Sequence, residues 1–261
     1  MNIKMKALVA AAVAVMSVSG AANAALTSGI AGDGGLVLTL LDRSSGASAT
    51  FDLGFSYSTF AAGGVDSASS ASWSLTGGDY ASAWNEFFSL ANANNVVWNV
   101  ASTDNLGLNT TVGTKGFITT YRDGATLPTV RTNQISTLAT AFDKYVDAAA
   151  KTGNHGSVEN GASVATSGSA YASTALLGDK INNVGPLATA RLDNSQGVVQ
   201  YVTGLGALGF ETPVVYDATF NLSANGVLTY AVAAVPEPET YALLLAGLGL
   251  VGVAARRRKS A

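Results

Sequence analysis

The chain has 261 residues, a formal net charge of −3, 12% charged residues, one histidine and no cysteine. Without cysteine, a fold in an oxidising compartment forms with no disulfide, and no thiol serves as nucleophile or metal ligand. Setting aside Lys4, Lys6, Glu237, Glu239, Arg256, Arg257, Arg258 and Lys259 leaves fifteen acidic and eight basic residues, about −7, a balance that repels nucleic acid.

Lys4 and Lys6 precede an apolar run over 7–16 and then Ala22, Asn23 and Ala24. Charge, apolar stretch and an A-x-A site in that order predict a secretory signal peptide over 1–24, with cleavage after Ala24. The apolar run is too short to span a bilayer. Residues 25–234 then form the exported part, long enough for one domain with a real hydrophobic core.

Within it, 36–41 and 49–56 read as strands joined by a turn over 42–46. Trp73 sits in a Ser-rich turn region and is the freest tryptophan for contact with a glycan. Tyr80, Trp84, Phe87, Phe88 and Ala91 share one helical face, and Val96, Trp98 and Val100 alternate as in a strand, which makes Trp84 and Trp98 core residues. Another strand covers 116–121, closed by Asp123-Gly124. A helix is expected over 134–151, with Ile135, Leu138, Ala139, Phe142, Val146 and Ala149 as its apolar stripe. Thr132 or Asn133 would cap it and Gly153 stop it. The Gly, Ser and Asn-rich stretch 152–169, which holds His155, reads as an exposed loop.

Strands follow at 197–203 and 214–224, and Asn225-Gly226 predicts a type I′ hairpin to a return strand at 227–232. Phe220 and Leu222 on one arm and Leu228, Tyr230 and Val232 on the other supply its apolar faces. The fold class expected is α+β: a mainly antiparallel β, sandwich-like domain with two or three packed helices, plus an N-terminal signal peptide and a C-terminal membrane helix.

Gly204, Gly206 and Gly209 match G-x-G-x-x-G, yet Pro213 follows where a long helix should begin, and the spacing recurs at Gly247, Gly249 and Gly252 in an apolar run. Chance in a Gly-rich chain explains both. A Ser-His-Asp hydrolase would have to use His155, with no G-x-S-x-G elbow near it. Asp193-Asn194 offers oxygen ligands of the kind calcium takes, but without EF-hand spacing turn formation is the simpler reading. Glycoside hydrolysis needs only two carboxylates, and no pair announces itself. No catalytic residue, metal ligand or cofactor is assigned.

The tail, 235–261, carries the clearest chemistry. Pro236 and Pro238 hold the backbone extended and display Glu237. An uncharged run over 241–255 follows, in which Tyr241, Leu243, Leu244, Leu245, Leu248, Leu250, Val251 and Val253 form the apolar anchor. As a helix it reaches about 22 Å against a hydrocarbon core of about 30 Å, a short span that interfacial Tyr241 and snorkelling cations extend. Arg256, Arg257, Arg258 and Lys259 stay in the cytoplasm by the positive-inside tendency, placing Pro236 outside. With these parts in this order, the segment resembles the PEP-CTERM sorting signal of Gram-negative bacteria. The resemblance implies recognition by an exosortase, removal of the tail near Pro236, Glu237 and Pro238, transient residence in the inner membrane, and delivery to the outer surface or extracellular matrix. It also implies an association with exopolysaccharide or biofilm. The exported domain is expected to be non-enzymatic, the alternative being a secreted hydrolase acting on polysaccharide.

Overall fold

In the computed structural model, which describes residues 26–106, 115–122, 124–172, 177, 189–203, 208, 210–211 and 213–233, strands outnumber helices throughout. In chain order the elements are β1 (Gly35–Asp42), β2 (Ala47–Ser56), α1 (Tyr57–Phe60), β3 (Ala71–Ser74), α2 (Ala81–Leu90), β4 (Val97–Asp104), β5 (Gly116–Arg122) and β6 (Val130–Arg131). Then come α3 (Thr132–Ala149), β7 (Ala162–Ala165), β8 (Ala190–Arg191), β9 (Ser195–Val202), β10 (Phe210–Glu211), β11 (Val214–Leu222) and β12 (Val227–Val232). The expected signal peptide and membrane helix lie outside the described residues. Among the described ones no helix is long and apolar enough to cross a membrane.

The sequence pattern suggested a sandwich; the strands instead make one antiparallel sheet in the order β3-β12-β11-β9-β5-β4-β1-β2-β7, with β8 alongside β4, while β6 and β10 pair separately. The sheet curls. Trp73 of β3, at one end of the order, donates its indole N–H to the Leu53 carbonyl of β2 near the other end, at 3.0 Å. Its ring meets Phe55 of β2 edge-on at 5.5 Å. Trp73 is therefore a buried closure residue, 9% exposed, and not a free glycan platform. Its serine neighbours point away from the core while its own alternate position points in.

The curled inner face holds Leu38, Phe51, Trp98, Ile118, Phe220 and Tyr230, drawn from most strands of the sheet, together with Phe60 of α1 and Trp84 and Phe87 of α2. Cross-strand partners such as Leu38 with Phe51, Leu40 with Trp98 and Phe220 with Tyr230 fix the register. The outer face carries Val37, Ala101, Phe117 and Val199 against the predicted stripe of α3. Every residue of β1 is buried because both faces of that strand are covered.

Several local expectations need correction. Helix α3 begins at Thr132, so neither Thr132 nor Asn133 is its cap; the Arg131 N–H instead donates to Gln134 Oε1 at 2.8 Å. The β11–β12 turn is not type I′. Ser223 and Val227 close a three-residue loop in which Gly226 alone takes positive φ, 78°, a bulged type I turn that leaves Asn225 unstrained. The stretch 152–169 is an exposed loop only in part: its turns are largely exposed, but it contains β7, and His155 is fully buried. Asn154 pins it, its Oδ1 accepting from the Ala162 N–H at 2.6 Å and its Nδ2 donating to the Asp79 carbonyl at 2.8 Å. Gly161 permits the packing, since a Cβ there would lie 2.4 Å from His155 Cα.

Trp73→Ala is expected to lower stability by about 3–5 kcal/mol, and Trp73→Phe, which keeps a ring but loses the bond to Leu53, by about 1–2 kcal/mol. Guanidinium unfolding measures both; an alanine variant within about 0.5 kcal/mol of the parent would contradict the closure role.

Candidate functional site

Strand β12 leads the chain to the tail. Leu228 and Tyr230 point inward from it, opposite Leu222 and Phe220 of β11. Pairing runs one residue past Val232, where the Ala233 N–H donates to the Asp217 carbonyl at 2.9 Å. Pro236, Glu237 and Pro238 follow in the sequence after Ala234 and Val235. They lie outside the described residues, as do Tyr241, Leu243, Leu244, Leu245, Leu248, Leu250, Val251, Val253, Arg256, Arg257, Arg258 and Lys259, and likewise Ala22 and Ala24.

Of the remaining candidates, Trp84 and Trp98 are core residues as expected, at 6% and 0% exposure. His155 meets a hydroxyl, Ser163 Oγ, at 3.2 Å from Nε2. Both side chains are buried, and burial pushes the imidazole down to about 4, so the pair presents no surface nucleophile. Asp193 takes the turn role: at φ 65° its carboxylate accepts from the Ala224 N–H at 2.9 Å and so props the β11–β12 loop. Gly204, Gly206 and Gly209 lie outside the described residues, but β9 precedes them and the strands β10 and β11 follow, not a nucleotide-binding helix. Among the described residues no cluster of three His, Asp or Glu is arranged to hold a metal.

Two of the open clefts on the surface are lined by described residues. One, of about 620 Å³, is lined by Arg122, Arg191 and Asn194 among others. The other, of about 510 Å³, is lined by Tyr57, Ser58, Ala62, Gln200 and Val214, with Asp104 and Lys115 paired at 3.1 Å. Among the described residues that line them, neither cleft brings two carboxylates together as glycoside hydrolysis requires.

The sequence reading passed over Gln200. Buried on β9, it donates from Nε2 to the Tyr57 hydroxyl at 2.8 Å and accepts from the Ala62 N–H at 2.8 Å and the Tyr216 hydroxyl at 3.2 Å. These bonds stitch the α1 region to the sheet and hold the amide in place. An amide at an inward position of an alternating strand was the available signal. Asp143 was also passed over. It lies on the apolar side of α3 and accepts from Thr103 Oγ1 at 2.6 Å, the Gly29 N–H at 2.9 Å and Asn105 Nδ2 at 3.0 Å. Burial pushes its carboxyl upward despite these donors.

Residues 234–259 match the family model described as the PEP-CTERM protein-sorting motif. No curated protein and no solved structure matches the chain.

Asp52 yields a test of the buried interior. Burial, partly offset by the Gly54 N–H, pushes its carboxyl from 3.8 up to about 6. Between those values the folded state holds a proton that the unfolded chain has released, so this group's contribution is full below about 4 and is lost as pH rises through about 6. His155 runs the other way: its folded value of about 4 lies below 6.5, so its contribution is present above about 6.5 and is lost as pH falls through about 4. Asp52→Asn should match the parent near pH 4 and exceed it by up to roughly 3 kcal/mol at pH 7. Urea unfolding across that range measures the difference, and parallel pH profiles would refute the assignment.

Proposed function

Because the chain carries a PEP-CTERM protein-sorting motif, we propose that it is an exported cell-surface or biofilm-matrix protein whose β-rich domain is non-enzymatic and whose tail is read by an exosortase. In this reading residues 1–24 direct export, 25–234 are the delivered domain and 235–261 are the sorting tail. Tyr241 and the leucines and valines that follow hold the chain briefly in the inner membrane. Arg256, Arg257, Arg258 and Lys259 stop it on the cytoplasmic side. Pro236, Glu237 and Pro238 then stand outside, extended for recognition. The single observation that carries the reading is the motif match over 234–259. Exopolysaccharide is the partner proposed for the delivered domain, at the outer surface or in the matrix.

The arrangement of the tail also assigns each part a distinct failure. Loss of the cations should leave an anchor without a fixed side, and loss of the motif should leave an anchored chain that is not released. Intact mass of the surface fraction should therefore lack Arg256, Arg257, Arg258 and Lys259, while Glu237→Ala with Pro238→Ala should leave most of the protein uncut in the inner membrane. Surface material that retains the basic terminus, or normal sorting of the double variant, would overturn the reading.

A further inference from the structure

Helix α3 packs on the outer face of the sheet over β1, β4, β5 and β9, against Val37, Ala101, Phe117 and Val199. Past β9 the outward residues of β11, β12 and β3 are open, and Thr219, Ala231, Ser72 and Ser74 are all exposed. The register sets them in rows across the strands. Tyr121 of β5 stands opposite Gly197 of β9, Gly197 opposite Thr219 of β11, and Thr219 opposite Ala231 of β12. In the adjoining row Ser195 of β9 stands opposite Asn221 of β11, followed by Thr229 of β12 and Ser72 of β3.

Gly197 is the unusual member of the first row. Glycine weakens a strand interior, and here the backbone does not require it, since φ lies outside the left-handed region. The neighbouring ring does. An added Cβ would lie 2.5 Å from Tyr121 Cε1 and Cζ and 2.7 Å from its hydroxyl oxygen, so the far end of the tyrosine lies over the glycine. The side chain also packs against the cluster under α3 and yet stays partly exposed. An aromatic ring is thus held in a fixed position on the open face, with only small side chains after it along the row.

We propose that the row from Tyr121 to Ala231 is a binding track for an uncharged polysaccharide with equatorially linked sugar rings. The C–H groups on the face of such a ring carry slight positive charge and stack on the negative face of an aromatic ring, while the sugar hydroxyls leave sideways. Beyond Tyr121 the small residues leave room for the rings that follow, over about 14 Å from β5 to β12 at strand spacing. Sideways lies the second row, a line of hydroxyls and one amide. Asn221 Nδ2 donates to Ser195 Oγ at 3.2 Å and Thr229 Oγ1 to the Asn221 carbonyl at 3.4 Å, which holds these polar groups in line beside the track. Charge selects the ligand. Neither row holds a charged residue, Asp217 stands one row beyond Thr219, and the domain carries about −7, so a polyuronate is repelled and a neutral chain is not.

The track deepens the function proposed above, in which exopolysaccharide is the partner of the delivered domain, and its role in the cell rests on that reading. The test sediments the uncut full-length chain, in mild-detergent micelles, with insoluble cellulose, insoluble mannan and calcium alginate gel. At least one of the two neutral glycans should retain the chain at least about ten-fold more tightly than alginate, a polyuronate. Retention by neither, or equal retention by alginate, would overturn the proposal. Tyr121→Ala should weaken retention at least about ten-fold, and Tyr121→Phe, which keeps the ring, by no more than about three-fold. Since Tyr121→Ala also uncovers Gly197, a second variant guards against a weakened fold. Thr219→Lys changes an exposed residue on the track and should abolish retention, while Lys144→Ala on the exposed side of α3 should leave it unchanged. Parent-like retention by Thr219→Lys would overturn the track. If surface material keeps its tail, the sorting reading falls and retention stands; if sorting is normal and neither glycan retains the chain, the track alone falls.

Discussion

The sheet closes through side chains, with no backbone ladder between β3 and β2 among the described residues, and the rest of the fold follows from that. β7 pairs with β2 only over Ser48–Phe51, and β3 meets the stretch beyond it, at Leu53 and Phe55. Contact is left to side chains: the Trp73 indole reaching the Leu53 carbonyl, Phe55 against Trp73, and Trp73 in turn against Phe220. In a cysteine-free chain this aromatic seam does what a disulfide does in many exported domains. Phe60 joins it from α1, with ring contacts to Phe55, Phe220 and Tyr230. Each such pair adds about 0.5–1.5 kcal/mol beyond its buried area, so the seam acts as a cluster and not as one contact.

The two faces of the sheet are held by different chemistry. The inner face is aromatic and aliphatic. The outer face mixes apolar packing under α3 with buried hydrogen bonds: the Tyr145 hydroxyl lies between Thr39 Oγ1 at 3.2 Å and Thr50 Oγ1 at 2.5 Å, and Asp143 draws on Thr103, Gly29 and Asn105. Apolar burial is non-directional and sets how strongly the helix sits; the hydrogen bonds are directional and set where. Because β1, β4, β5 and β9 contribute to both faces, a loss of curvature that disturbs the inner seam also moves the groups to which α3 is bonded.

What could be read from the sequence divides along the same line. The continuous apolar run of β1, the alternation of β4, the stripe of α3 and the apolar arms of β11 and β12 are local patterns, and the folded chain keeps them. The outward face of β3 is serine, so Trp73 looked like a surface residue; its partners lie 20 residues back in β2 and, far along the chain, in β11. β7 is four residues of Ala, Ser and Val, too short and too weakly apolar to signal a strand, yet it covers the edge of β2 and brings Ser163 to the buried His155. The single curled sheet was illegible for a related reason, because alternation reports which residues point inward and not whether the inward faces belong to one sheet or two. The sorting tail could be read because proline dihedrals, the length of an apolar run and a block of cations need no distant partner.

The position of β12 links the fold to that tail. Among the described residues β3 has only β12 as a neighbour in the sheet, so the pairing of Val227–Tyr230 holds Trp73 in its place opposite Leu53. This pairing joins residues more than 150 positions apart, a contact whose loop-closure entropy must be met before any packing offsets it. Among the described strands, the one that holds β3 in the seam is the last before Pro236. β12 thus lies where the described fold meets the segment that leads to the sorting motif, and it fills the core there with Leu228 and Tyr230, so the last described strand is also one the closure of the sheet depends on.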